Sequence, residues 1–316
     1  MEKSIPLREI SEILRMSPQG FGKVAKKDED SVVKGNKRLL SPQFVREVFE
    51  SKGFLYPKKN IMFHCLKGGS GKSELSRSIS YRASQLGTRV LLVDCDKQAN
   101  TSRALNVETP SAVLVDLVTG KAKIQDAIVE VDSFFHLIPS SIKNARLELE
   151  LINREKNPLS FYEKIFSQLR NNYDWIVFDM PPDLNHNSYL ISLYADIVCV
   201  PTNPSRFAMD GMQMTIESLE GLREQFPDKK FDIEIILNMY DAREKNSFVL
   251  LSELQEIKNA NVLPVVVRAD TTFKNAHGQK KTVFEVTKKS NAREDVDIVT
   301  QELMGLRDFF SPKGEA

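Results

Sequence analysis

No apolar stretch in this chain approaches the roughly 20 residues that a helix needs to cross a bilayer, and the opening M-E-K-S-I-P-L-R-E-I has no signal-peptide core. A cytoplasmic protein is expected. Cysteine is scarce too. Cys65, Cys95 and Cys199 have no metal-ligand spacing and each lies in or beside an apolar run, which argues against disulfides and for reduced, buried thiols. Net charge is nearly absent, at +1, but the balance hides an asymmetry. Residues 1–60 hold 13 Lys and Arg against 8 Asp and Glu, or +5, leaving 31 against 35, or −4, for the remainder. With 41% hydrophobic and 28% charged residues, neither disorder nor a fibrous class is indicated. A length of 316 residues suits one large α/β domain and a small appendage.

A glycine is missing as well. Residues 64–74 read H-C-L-K-G-G-S-G-K-S-E, and the standard phosphate loop G-x-x-x-x-G-K-[ST] wants glycine where Leu66 stands. The rest of a phosphate cradle is present in Gly68, Gly69, Ser70, Gly71, Lys72 and Ser73, with Lys67 as an extra cation at its mouth. The loop follows an apolar run and opens a helical pattern, S-E-L-S-R-S-I-S-Y-R-A-S-Q-L-G. Backbone N–H groups and a helix N-terminus would face phosphates there, Lys72 would reach them, and the Ser73 hydroxyl would ligate Mg²⁺.

From residue 60 onward, runs rich in Val, Ile, Leu and Phe alternate with helical segments. They fall at 60–66, 89–96, 134–139, 175–181, 196–201, 231–238 and 262–268. Most are too continuous to be half-exposed, which predicts an α/β fold with a doubly wound, mainly parallel sheet and ligands at the strands' carboxyl ends. Two runs end in carboxylates, V-D-C-D with Asp94 and Asp96, and W-I-V-F-D-M-P with Asp179. Such residues hold Mg²⁺-bound water and orient an attacking water, or serve only as helix caps.

Residues 1–58 read differently, as a small helical domain before a second domain at 59–316. Leu7, Ile10, Ile13 and Leu14 share one helical face, and Ser17-Pro18 and Ser41-Pro42 are both N-cap plus N1 signals. The order suits a helix-turn-helix, although a helical lid on the main domain is the plain alternative and Gly20 and Gly22 weaken the second helix. A further basic stretch carries Arg268, Lys274, Lys280, Lys281, Lys288, Lys289 and Arg293, which by itself marks a solvated face as readily as a binding surface.

The series K-G-G-S-G-K-S, V-D-C-D-K-Q-A-N-T-S and D-W-I-V-F-D-M-P-P resembles the deviant Walker A ATPases, the family of ParA and MinD, over about residues 58–310. V-P-T-N-P-S-R-F-A-M-D-G and I-L-N-M-Y-D-A-R are most similar to its ParA branch. The resemblance implies ATP and Mg²⁺ as ligands and an ATP-dependent sandwich homodimer. In it Lys67 reaches the other subunit's phosphates, Lys72 is the Walker lysine, Ser73, Asp94 and Asp179 serve the metal, and Asp96 positions the hydrolytic water. Gly68 to Glu74 form the nucleotide loop, and Asn238 falls where the family contacts adenine. Arg243, Arg268, Lys274 and Lys281 become the expected contacts to non-specific DNA, and a ParB-like centromere-binding protein the expected partner. Slow, partner-stimulated ATP hydrolysis in plasmid or chromosome partition on the nucleoid follows, with an operator-binding repressor or a MinD-like positioning ATPase as alternatives. R-E-I-S-E-I-L-R-M-S and K-R-L-L-S-P-Q-F-V resemble the MerR-like helix-turn-helix that precedes some larger ParA proteins. Two positions depart from the family pattern. Lys97 replaces a proline, and Glu74 replaces a threonine and is expected to weaken nucleotide affinity slightly. The final helix carries Asp295, Asp297, Glu302 and Asp308, so it is expected to dock on the sheet and not on a membrane.

Overall fold

The computed structural model describes residues 4–35, 37–154, 158–244, 251–254, 256–287 and 289–311. Each anticipated apolar run forms a strand. These are β4 (Lys59–Phe63), β5 (Val90–Asp94), β7 (Phe135–Ile138), β8 (Trp175–Asp179), β9 (Ile197–Thr202), β10 (Asp232–Tyr240) and β11 (Asn261–Arg268). With β6 (Val129–Asp132) they make one sheet in the order β11-β10-β9-β4-β8-β5-β7-β6. All pairings are parallel except β6 on β7, an edge strand whose half-exposed V-E-V-D is too short and polar to stand out in the sequence.

Alternation along the strands builds two cores. Met62, Leu91, Val93, Ile176 and Phe178 face one side, while Ile61, Phe63, Val90, Leu92, Trp175 and Val177 face the other. Burying each such side chain contributes about 1.5–3 kcal/mol, so a polar residue inside either layer needs a partner. The three cysteines are free and buried.

The amino-terminal region begins with β1 (Ile5–Pro6), α1 (Leu7–Ile13) and α2 (Pro18–Val24). Ser17 caps α2, its Oγ accepting from Gly20 N at 3.1 Å, and Phe21 buries the helix's inner face despite the two glycines. Two further strands, β2 (Val32–Lys34) and β3 (Lys37–Leu40), form an antiparallel hairpin, and β1 completes a three-stranded sheet. An all-helical appendage is thereby corrected. The missed signal was Gly35-Asn36 between two short apolar-basic runs, a two-residue hairpin sequence. Helix α3 (Pro42–Ser51) follows, capped by Ser41, whose Oγ accepts from Phe44 N at 3.2 Å.

This region is continuous with the body. Ile5, Ile10, Phe21 and Phe49 belong to the same core as Phe63 and Trp175. Arg46 of α3 donates to Asp174 at 2.6 Å and to the Gly87 carbonyl at 2.9 Å. The helix Asn291–Met304 packs against the sheet as expected, burying Val296, Val299 and Leu303. Among the described residues no helix is long and apolar enough to cross a membrane.

Candidate nucleotide and metal site

Strand β4 runs into the glycine-rich loop, and helix α4 (Lys72–Gln85) starts from it. Gly71 has φ +91°, and a Cβ there would lie 2.1 Å from Asn238 Nδ2, so no other residue fits without displacing that amide. Asn238 at the end of β10 donates through Nδ2 to the Ser70 carbonyl at 2.9 Å. Its observed role is therefore to pin the loop. Lys72 is buried, its Nζ donating to the carbonyls of Cys65 and Lys67 at 3.0 Å each, and burial lowers its pKa. The ammonium thus closes the loop on itself and is poised where phosphate oxygens would exchange with carbonyls.

Two cavities adjoin at Gly71, Glu74 and His277. One of about 400 Å³ is lined by Gly68, Gly69, Lys72, Ser73, Asp96 and Thr101, among others, but not by Lys67. The other, of about 600 Å³, is more apolar and runs past Leu75, Asn238, Met239 and Phe273. A polar cradle opening into an apolar slot fits a nucleoside phosphate, with the base in the slot. Phe273, Met239 and His277 escaped the sequence reading because they come from the end of β10 and from the helix Thr272–Gly278, which only the fold brings together.

Asp94 and Asp179 are direct neighbours across β5 and β8 and are fully buried. Asp94 Oδ2 accepts from Ser102 N at 2.9 Å and Ser102 Oγ at 2.6 Å, and its Oδ1 from Asp96 N at 3.1 Å. Asp179 Oδ2 accepts from Thr101 Oγ1 at 2.6 Å, while its Oδ1 is buried without a hydrogen-bond partner. Thr101 and Ser102, in helix α5 (Asn100–Ala104), are thus the residues that orient the two carboxylates. Their signal was the N-T-S that follows the two aspartates in V-D-C-D.

An orphaned carboxylate oxygen beside the Ser73 hydroxyl fits Mg²⁺, which binds few protein ligands and keeps waters and phosphate oxygens for the rest. No cluster of three or more His, Cys, Asp or Glu suited to a metal occurs among the described residues.

Both carboxylates have raised pKa values. For Asp94 the cause is burial and then the charge of Asp179; for Asp179 it is burial, opposed by the hydrogen bond from Thr101, the nearby Ser73 hydroxyl and the charge of Lys72. Without a cation the pair retains a proton that the unfolded chain has released. Its contribution to stability is therefore greatest in acid and is lost as pH rises above the ordinary carboxylate range through the raised values. Asp179→Asn removes the repulsion and should stabilise the metal-free protein by on the order of 2 kcal/mol at pH 8, with no gain near pH 4. Urea unfolding at the two pH values measures this, and equal gains at both would refute it.

Glu74 is paired. Its Oε2 meets Arg77 Nη2 at 2.5 Å and its Oε1 accepts from Ser78 at 2.9 Å, so the charge at the start of α4 is largely neutralised. Lys97 is exposed, and Asp96 Oδ1 accepts from Gln98 N at 2.9 Å, which orders the turn in the absence of a proline. Of the anticipated surface cations, Arg243 is exposed and pairs with Asp241 at 2.6 Å, and it and Lys274 line the apolar slot. Lys281 is exposed three residues beyond the helix Thr272–Gly278. Arg268 is held by Asp295 at 2.5 Å and Glu294 at 3.0 Å, so its charge is already matched.

An AAA-domain family, AAA_31, matches residues 58–235. Similar sequences include the cell division protein PomZ of Myxococcus xanthus, 26% identical over 77% of each chain, and a ParA family protein of Chlamydia trachomatis, 26% identical over 78% of this chain and 98% of that one. Among solved structures, the septum site-determining protein MinD of Pyrococcus horikoshii with Mg-ADP shares the fold at a TM-score of 0.65, 21% identity, and coverage of 80% of this chain and 99% of that chain. Neighbours of this fold have also been solved with ATP or an ATP analogue with magnesium, in line with the donor set described above. The chain belongs to the AAA_31 family, and its phosphate loop, a donor set suited to a nucleoside phosphate and Mg²⁺, and its likeness to ParA-type proteins support a P-loop ATPase of that type.

Proposed function

We propose that this protein is a partition ATPase whose ATP-bound homodimer binds DNA without sequence preference and is released when a ParB-like centromere-binding partner stimulates hydrolysis. The single observation that carries this reading is that of the loop's two lysines Lys72 lines the phosphate cavity and Lys67 does not. A cation at the loop that leaves its own phosphates alone is free to serve those of a second subunit. The backbone N–H groups of Gly68 to Lys72 and the Lys72 ammonium would hold the β- and γ-phosphates, and Ser73, Asp94 and Asp179 would hold Mg²⁺. When bound, Mg²⁺ supplies neutralisation of phosphate charge. Asp96, on the wall of the same cavity, orients the water that attacks the γ-phosphorus, and Asn238 pins the phosphate loop beside the slot for the base. Glu74, tied to Arg77, stiffens the first turn of α4.

The DNA contacts fall to Arg243, Lys274 and Lys281, with Arg268 as a matched pair that supports the surface. Such contacts neutralise phosphates, so each should contribute about −0.9 to the slope of log K against log salt. Retention of random duplex DNA should require ATP, disappear with ADP, and fall steeply with added salt. Retention that ignores the nucleotide would sink the proposal. A second reading is favoured by the basic hairpin β2–β3 beside α1 and α2, which suits an operator-binding repressor activity of residues 1–58. Footprints confined to one operator and lost on deleting residues 1–55 distinguish it.

A further inference from the structure

We infer that Phe207 is the positioning residue of Lys67, a surface ring that keeps this lysine out of its own phosphate cavity and presents it to a partner. The inference rests on the reading that Lys67 acts across a homodimer. Lys67 Nζ lies 4.9 Å from the centroid of the Phe207 ring, within cation–π range. That ring is 75% exposed, so the fold gains little by burying it. Among the described residues no carboxylate forms an ion pair with Lys67, which leaves the ring as the group that holds its charge.

The helix Arg206–Gln225 supplies the rest of the arrangement. Phe207, Gly211 and Thr215 are spaced at i, i+4 and i+8 and so form one stripe along it. Thr215 is fully buried, and its Oγ1 accepts from Leu66 N at 3.1 Å while donating to the Gly211 carbonyl at 2.6 Å. At Gly211 a Cβ would sit 3.0 Å from Lys67 Cβ and 3.4 Å from its backbone nitrogen. The missing side chain at Gly211 thus admits the backbone of the loop, Thr215 fixes its height, and Phe207 takes the ammonium at the exposed end. Leu66, standing where the ordinary loop has glycine, supplies the N–H that docks on this stripe.

Three variants at one position separate the ring's electrostatics from its bulk. Phe207→Trp keeps a π face, Phe207→Leu keeps apolar volume alone, and Phe207→Ala removes both. With ATP and Mg²⁺, sedimentation should show the dimer weakened about two- to fivefold in the Leu and Ala proteins and unchanged or tighter in the Trp protein. In the nucleotide-free protein, with lysines labelled with ¹³C and Lys67 assigned from Lys67→Ala, the Lys67 Cε resonance should be ring-shifted in the parent and in Phe207→Trp but not in Phe207→Leu. A parent-like Cε shift or a parent-like dimer constant in Phe207→Leu overturns the inference. Lys67→Ala keeps the two failures apart. If that variant dimerises like the parent, the trans-lysine reading itself is wrong; if it loses the dimer while Phe207→Leu behaves as the parent, that reading stands and the role of Phe207 falls.

Discussion

ATP turnover by Lys72→Ala should fall by at least about 10²-fold at saturating nucleotide, the cost of deleting a preorganised donor aimed at developing charge in a water-poor site. The geometry makes the loss double. Lys72 Nζ reaches back from the loop's end to the carbonyls of Cys65 and Lys67 at its entry, so the variant loses a strut of the cradle together with its phosphate contact. Nucleotide affinity should therefore drop as well. Lys67→Ala provides the contrast, since its side chain does not line the cavity and nucleotide binding to the monomer should survive. Steady-state phosphate release and fluorescent-nucleotide titration separate the two variants. Turnover within tenfold of the parent in Lys72→Ala would show that the ammonium is not aimed at the transferred phosphate.

Why Lys72 could be singled out from sequence, and Phe207 or Thr101 could not, has a physical answer. A phosphate cradle is local: its donors are consecutive N–H groups and a helix start, so K-G-G-S-G-K-S carries nearly all of its geometry in seven residues. The strands were legible for a related reason, because a parallel strand buried on both faces must be continuously apolar, as V-L-L-V-D is in β5. What supports the cradle is not local. Asn238 reaches Ser70 across 168 residues, and Thr101 reaches Asp179 across 78. These contacts follow from the strand order, which places β8 between β4 and β5 and brings loops from distant parts of the chain to one end of the sheet. The reading of Asn238 as a base contact shows the same limit. The sequence located it at a strand end, but only the fold reveals that it lines the apolar slot and that its Nδ2 also donates to the loop at Ser70. Arg268 likewise reads as a free cation until the helix Asn291–Met304 brings Asp295 against it.

Arg82→Ala should destabilise the folded protein by about 3–5 kcal/mol, the loss expected when one member of a buried ionic cluster is removed and its partners are stranded. Arg82 is 1% exposed on α4, and its three nitrogens are committed in different directions. Nε meets Asp297 Oδ1 at 2.6 Å, Nη2 meets Glu9 Oε2 at 2.8 Å, and Nη1 donates to Gln85 Oε1 at 3.2 Å. Burial alone would lower its pKa, but the two carboxylates more than offset this and hold it above the usual value. Arg293 joins the same cluster, reaching Glu9 Oε1 at 2.8 Å, and both guanidiniums lie within about 5 Å of the Phe284 ring. Glu9 is therefore the link between α1 and two helices of the body. The surface pair Arg8–Glu12 on the same helix, its partners one turn apart and 2.9 Å from each other with both side chains mostly exposed, is the internal control and should be worth less than about 1 kcal/mol. Urea unfolding of Arg82→Ala, Arg8→Ala and the double variant Arg82→Ala/Glu9→Ala tests the assignment. The double variant should recover part of the loss, because the stranded Glu9 charge is gone, and the Arg82 effect should persist in high salt, where the Arg8 effect fades. A loss of under 1 kcal/mol in Arg82→Ala would mean that water enters the cluster freely and that the amino-terminal region is held by its apolar contacts alone.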